Sequence, residues 1–173
     1  KNTDVARSVT IRTNGGKLTV NDTTKGKQYF YGALAEADIT TGNECFYAFG
    51  TIAKATVKAG KVVADKGGLV MVTETKEGTT VTKQNGGIVM KNSGANVAEN
   101  TVTVSTEEEK AAFVLEISTA AQLATFRDAV NSGMTYDGLT VKLTADIDLN
   151  GYCTGKRGWT PIGVYKNCLL YTS

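Results

Sequence analysis

Histidine is missing from all 173 residues of the chain. That absence excludes a histidine general base, a Ser-His-Asp triad and a histidine metal site. It also leaves Cys45, Cys153 and Cys168 without an imidazole partner as nucleophiles. The three cysteines are odd in number, widely spaced and free of any CxxC or zinc-ligand pattern, so at least one is unpaired within the chain. Cys45 reads as a small buried hydrophobe. No run approaches the roughly 18 apolar residues that span a bilayer, so membrane insertion of this segment is not expected. Charge of one sign is scarce too: 19 Lys and Arg against 17 Asp and Glu leave a net +2. No basic stripe interleaves with aromatics, and a nucleic-acid partner is not expected. The chain carries no signal peptide and opens on Lys1, which reads as a cut from something longer.

What is abundant points to β-structure. Hydrophobic residues make up 41% of a chain with 19 glycines and a single proline. Threonine and valine dominate; β-branched residues favour strands and the glycines supply tight turns. Up to about residue 105, short apolar stretches recur at Val9–Ile11, Leu18–Val20, Tyr29–Tyr31, Ala37–Ile39, Cys45–Phe49, Ala55–Val57, Val62–Ala64, Leu69–Val72, Thr79–Val81, Ile88–Met90, Ala95–Val97 and Val102–Val104. Strands this short and evenly spaced suit a sandwich or a solenoid. Sandwich strands usually run to five or six residues, longer than most of these. The pairs Gly15-Gly16, Gly67-Gly68 and Gly86-Gly87 stand where a coil must turn a corner. They lack phosphate-loop spacing and open no helix. Two or three such strands make a coil of roughly 20 residues, and stacking then supplies the core. The expected fold is mainly β: a right-handed parallel β-helix.

The run Glu107-Glu108-Glu109 reads as a solvated linker or edge. Phe113 to Ile117 reads as a strand. Ser118 or Thr119 caps an expected helix within residues 119–132, with Leu123, Phe126, Ala129 and Val130 on one stripe and Gly133 as its stop. Leu139 to Leu143 alternates as a further strand. The expected helix covers the open end of a second β region.

Residues 118–163 resemble the unit that leads into GLUG-motif repeats in large bacterial surface proteins. The likeness runs from Ile117-Ser118-Thr119 through Leu123, Phe126 and Ala129-Val130-Asn131-Ser132-Gly133. It continues over Val141 to Leu149 and closes on Trp159-Thr160-Pro161-Ile162-Gly163. Residues 8–104 are similar to solenoid segments in surface proteins of gut bacteria, on Ser8 to Val20 and the Tyr31-Gly32 and Phe49-Gly50 turns. The resemblance implies adhesin-like stalks built on right-handed β-helices and brings no catalytic residue. The GLUG-like pattern breaks after Gly163. Val164 to Ser173 reads as an ending translated from non-coding or adapter sequence, with a poorly ordered terminus. The implied organisation is a β-solenoid over 1–106, a linker and leading strand over 107–117, and a helix-capped, truncated start of a second β-helical domain over 118–173.

The carboxylates Asp38, Glu44, Asp65, Glu74 and Glu77 read as solvated charge, with no coil placing two together. Asp146, Asp148 and Asn150 begin a calcium-loop pattern. Its twelfth position, however, is Arg157, where the ion needs a carboxylate; the simpler reading is an Asp-rich strand end bonding turn amides. Tyr29, Tyr31, Tyr47 and Trp159 pack between coils or, if exposed, stack on sugars. No catalytic residue and no cofactor are expected. The functional expectation is an extracellular structural or adhesive stalk segment of a bacterial surface protein, with host or environmental glycans or proteins recognised through other domains. A carbohydrate-binding or carbohydrate-cleaving β-helix and a fragment without independent function are the alternatives.

Overall fold

The computed structural model describes residues 8–22, 26–153 and 158–163. Eight strands form one parallel sheet: β1 (Val9–Asn14), β2 (Lys17–Asp22), β3 (Gln28–Leu34), β4 (Glu36–Ala48), β5 (Thr51–Ala64), β6 (Leu69–Thr75), β7 (Thr80–Lys83) and β8 (Ile88–Asn96). Parallel strands cannot be joined by tight hairpins. Here the connection is the coil itself. Val9 pairs with Gln28, Ala37 with Ala55 and Leu69 with Ile88, so the chain returns to the same line after 18 or 19 residues. The result is a β-solenoid of about four turns, as the spacing of apolar stretches and glycine pairs predicts.

Alternation along each strand sends every second residue inward, where it meets its counterpart one coil away. Leu34, Ile52, Val70 and Val89 form one such column. Phe46, Val62 and Val81 form a second, closed at the C-terminal end by a bridge to Val102. All of these except Val102 are buried, and Phe30 stacks on Phe46 with ring centroids 6.3 Å apart.

Corners are made by glycine where nothing else fits. Lys66-Gly67 and Asn85-Gly86 both have positive φ at two successive positions, as a type I′ turn requires, and the turns close through Gly68 N–H to Asp65 and Gly87 N–H to Gln84. A Cβ on Gly68 would lie 2.0 Å from the carbonyl oxygen of Ala48, and one on Gly87 would lie 2.2 Å from that of Ala64. In these two pairs glycine serves two needs, backbone handedness at the first position and close coil-to-coil approach at the second, whereas Gly15 and Gly16 both have positive φ and no close neighbour.

The strands are longer than the apolar stretches imply. β4 joins the expected Ala37–Ile39 and Cys45–Phe49 strands, and β5 joins Ala55–Val57 and Val62–Ala64. Both run round a corner: Gly60, at φ +83, turns β5, and register shifts at Ile39/Thr40 and Thr40/Cys45 mark the bend in β4. Polar residues at the corner hide this continuity, because hydropathy marks only the inward flats. At the C-terminal end, Val102–Val104 contributes an isolated bridge instead of a strand.

The segment of residues 113–141 lies against the solenoid wall. Leu69, Met71, Ile88 and Met90 are buried and pack with Phe113, Leu115 and Ile117 in a cluster of their own. The strand β9 (Val114–Ile117) pairs in parallel with β10 (Thr140–Leu143) across the helix α2 (Ala120–Asn131), a β–α–β unit. α2 contacts β3, β5 and β1. The helix expected to close the end of a second β region thus lies along the side of the first one.

α2 falls within the expected range, and its ends show why. Thr119 caps it in a capping box with Gln122. Gly133, at φ +90, ends it as Gly133 N–H and Met134 N–H return to Val130 and Ala129, a Schellman motif. Val130 is buried as expected, but Leu123 and Phe126 are only half-buried. The most buried positions are instead the small residues Ala124, Thr125 and Ala129. A helix drawn close to a wall of backbone leaves room there only for short side chains.

The glutamate run departs from its reading as a linker. It forms the short helix α1 (Glu107–Ala112), capped by Thr106 and Glu109 in a second capping box. Three acids in the first turn complement the helix dipole, and Lys110 pairs with Glu107 at 2.6 Å. The expected alternation at Ile147 and Leu149 is also not a strand; residues 144–149 run as loop into a 3-10 turn, Asn150–Tyr152. The tail 164–173, including Cys168, lies outside the described residues.

Candidate functional site

Two groups of outward side chains stand out, each built by the coil period. On the first face, alternation turns Tyr29, Tyr31, Tyr47 and Phe49 outward, half-buried, between the inward Phe30 and Phe46. Tyr29 stacks on Tyr47, with centroids 5.5 Å apart and planes within 21°. Tyr31 stacks on Phe49 at 4.9 Å and 9°. Register makes these pairs: Tyr29 stands directly over Tyr47. Arg12, in register with Tyr31, lays its guanidinium 4.4 Å from that ring, and the Lys27 ammonium lies 6.0 Å from the Tyr47 ring. The expected packing between coils is what these tyrosines do, and it continues on the outside of the wall.

The second group is a charge column across three coils. Lys17 of β2 bonds Glu36 at 2.7 Å and Asp38 at 3.1 Å, both on β4. Lys58 of β5 reaches Asp38 from the other side at 3.2 Å. This corrects the reading that no coil sets two carboxylates together: Glu36 and Asp38, two apart on one strand, share one face and one lysine. The hydrogen bond from Lys17, then that from Lys58, holds the Asp38 carboxyl below its ordinary range against a partial loss of solvation. Bonds to Glu36 and then Asp38 raise the Lys17 ammonium. Each acid here is paired with a lysine from an adjacent coil, which binds coils together.

The remaining candidates are dispersed. Asp65 is buried and accepts from Gln84 Nε2 at 2.8 Å and Asn85 Nδ2 at 2.9 Å, clamping one I′ turn to the next. Glu74 pairs in register with Thr56, and Glu77 is exposed. Glu44 lies in β4; its side chain is outside the described set. Asp146, Asp148 and Asn150 are exposed. Asp148 Oδ1 accepts from the Asn150 amide at 2.9 Å, the turn-capping bond that the simpler reading expects. Arg157 lies outside the described residues. Among the described residues, no three His, Cys, Asp or Glu side chains gather where they could hold a metal ion. Cys45 is half-buried and unpaired; Cys153 is exposed, its thiol donating to the Leu149 carbonyl at 3.3 Å. Trp159 packs under the Arg127 guanidinium at 4.4 Å, while Asn131 bonds the Pro161 carbonyl and the Gly163 amide. The closing Trp-Thr-Pro-Ile-Gly segment is thereby fastened to α2.

One feature gives no signal in the sequence: an apolar cleft of about 500 Å3 between α2 and β10, lined by Phe126, Val130, Met134, Tyr136, Leu139 and Val141 among others. Tyr136 meets Phe126 edge-on at 4.7 Å. Its hydroxyl is buried without a partner, and burial raises its pKa. No described helix is long and apolar enough to cross a membrane. No protein-family model, no curated protein and no solved structure matches the chain.

Proposed function

We propose that the chain is an extracellular structural or adhesive stalk segment of a large bacterial surface protein and performs no catalysis. The observation that carries this reading is the continuous ladder inside the wall, reinforced by coil-to-coil contacts outside it. Inside, Leu34, Ile52, Val70 and Val89 repeat coil after coil. Outside, Tyr29 stacks on Tyr47 across one coil boundary, and Asp38 bonds Lys17 and Lys58 from the coils on either side. Side chains used for cohesion along the axis suit a rod that spans distance and bears load, each coil adding about 4.8 Å of length. Glu36 and Asp38 are paired with lysines and Asp65 with Gln84 and Asn85, which supports a non-catalytic role. The likeness of residues 118–163 to the lead-in of GLUG repeats supports the adhesin-like and surface-exposed part of the reading.

Antibodies raised against the solenoid test it on cells that make the longer protein. Labelling of intact, unpermeabilised cells is expected; labelling only after permeabilisation would contradict surface exposure. Incubation with pectin-like, mucin-like and peptide substrates should release no product. Turnover that disappears on mutation of an Asp or Glu would overturn the non-catalytic part.

A further inference from the structure

We propose that the face of Tyr29 turned away from Tyr47, with Arg12 beside it, binds one acidic sugar residue of an anionic polysaccharide. The ring ladder stops at this point. Tyr29 is covered on one side by Tyr47, but the residue in register on its other side is Thr10, which is exposed and carries no ring. The first coil thus forms a step one ring deep. Stacked coils repeat every ~4.8 Å, the thickness at which a flat ring continues such a stack. A pyranose presenting its C–H face fits where a third aromatic ring is missing, because an aromatic face is apolar and electron-rich.

Charge sets the class of sugar. Arg12, two residues along from Thr10, is exposed and places its guanidinium over the Tyr31 ring, 4.4 Å from the centroid. A guanidinium stacked in this way keeps its in-plane N–H groups for a carboxylate or sulfate, which it bonds in bidentate fashion. Lys27 and Lys61, both exposed, add positive charge to the same face. The Asp22 carboxylate beside this wall accepts from Gln28 Nε2, and Asp65 is buried under Gln84 and Asn85, so the three cations outnumber the described acids here. The surface therefore favours a uronate or sulfated glycan over a neutral one. The inference does not depend on the stalk reading, since a scaffold without this step keeps every ladder described above.

Calorimetric titration of the whole chain with a hexauronate, a heparin-derived hexasaccharide and a neutral hexasaccharide tests the proposal. One or both anionic probes should bind, the stronger of them identifying carboxylate or sulfate as the recognised group, and the neutral probe should bind at least tenfold more weakly. Tyr29→Ala and Arg12→Gln should each weaken the anionic probe tenfold or more. Tyr29→Phe, which keeps the ring, and Lys58→Gln, on another face, should leave it unchanged. Arg12→Gln alters an exposed side chain, so it decides the matter even if Tyr29→Ala fails to fold. Three results would overturn the proposal: no binding of either anionic probe, equal binding by folded Tyr29→Ala, or binding that survives Arg12→Gln.

Discussion

Two phenylalanines allow the packing argument to be tested on one molecule. Phe46 sits in the middle of the inner wall, fully buried, stacked on Phe30 and in register with Val62 one coil on. Phe126 lies on α2, half-buried, against Tyr136 at the rim of the apolar cleft. Burial of a large apolar side chain contributes about 1.5–3 kcal/mol through transfer alone. A closed column cannot relax into the space left behind, so the cavity term adds fully, and Phe46→Ala should cost about 3–5 kcal/mol. Phe126→Ala loses only part of that transfer and opens onto a cleft already present, so about 1–2 kcal/mol is expected. Urea unfolding followed by far-UV circular dichroism gives the global value. Fluorescence of Trp159, which rests on Arg127 of α2, reports the outer layer. Phe46→Ala should lower both transitions, and Phe126→Ala chiefly the fluorescence one. Equal costs, or a larger cost at Phe126, would refute the claim that the inner columns dominate stability.

Three further outcomes follow from the corners, the caps and the charge column. Gly67→Ala meets no atom but sits at φ +82, so it should cost about 1–2 kcal/mol; Gly68→Ala, whose Cβ collides with the Ala48 carbonyl, should cost more, and thermal melts that rank them the other way would contradict the close approach. Thr119→Ala removes the α2 cap and should cost about 0.5–2 kcal/mol, read as an earlier Trp159 transition. Asp38 has a folded-state pKa below its unfolded one, so its stabilisation is present above about pH 4 and is lost as pH falls through the lower value. Melts from pH 6 down to pH 2 should therefore fall more steeply for the wild type than for Asp38→Asn, and parallel curves would show the lysine contacts to be inert.

The solenoid was legible because its two signals are local: alternation over a few residues, and glycine pairs where the wall turns. α2 was legible for the same reason, since Thr119, Gln122 and Gly133 mark its ends. α1 had a signal too, as Thr106 and Glu109 have capping-box spacing, but three adjacent glutamates read first as a charge run. Glu36 and Asp38 could be placed on one face from their spacing alone. Their lysines could not, because Lys17 and Lys58 come from neighbouring coils and depend on register. Met71 and Met90 point outward and look like errors of alternation until β9 covers them. The cleft around Tyr136 lies between α2 and β10 and draws its lining from Phe126 through Val141, which no periodicity encodes.

The central claim is that the coils are interchangeable units stacked along one axis. Thr51 pairs with Leu69, so residues 51–68 are one complete coil. Duplicating them lengthens a solenoid without altering its ends. With Cys45, Cys153 and Cys168 replaced by serine, spin labels at exposed Thr19 and Lys91 lie on opposite sides of the duplicated coil. Their separation, measured by double electron–electron resonance, should increase by about 4.8 Å in a protein that still melts cooperatively. An unchanged or broadly scattered distance, with the extra coil extruded as a loop, would contradict the account.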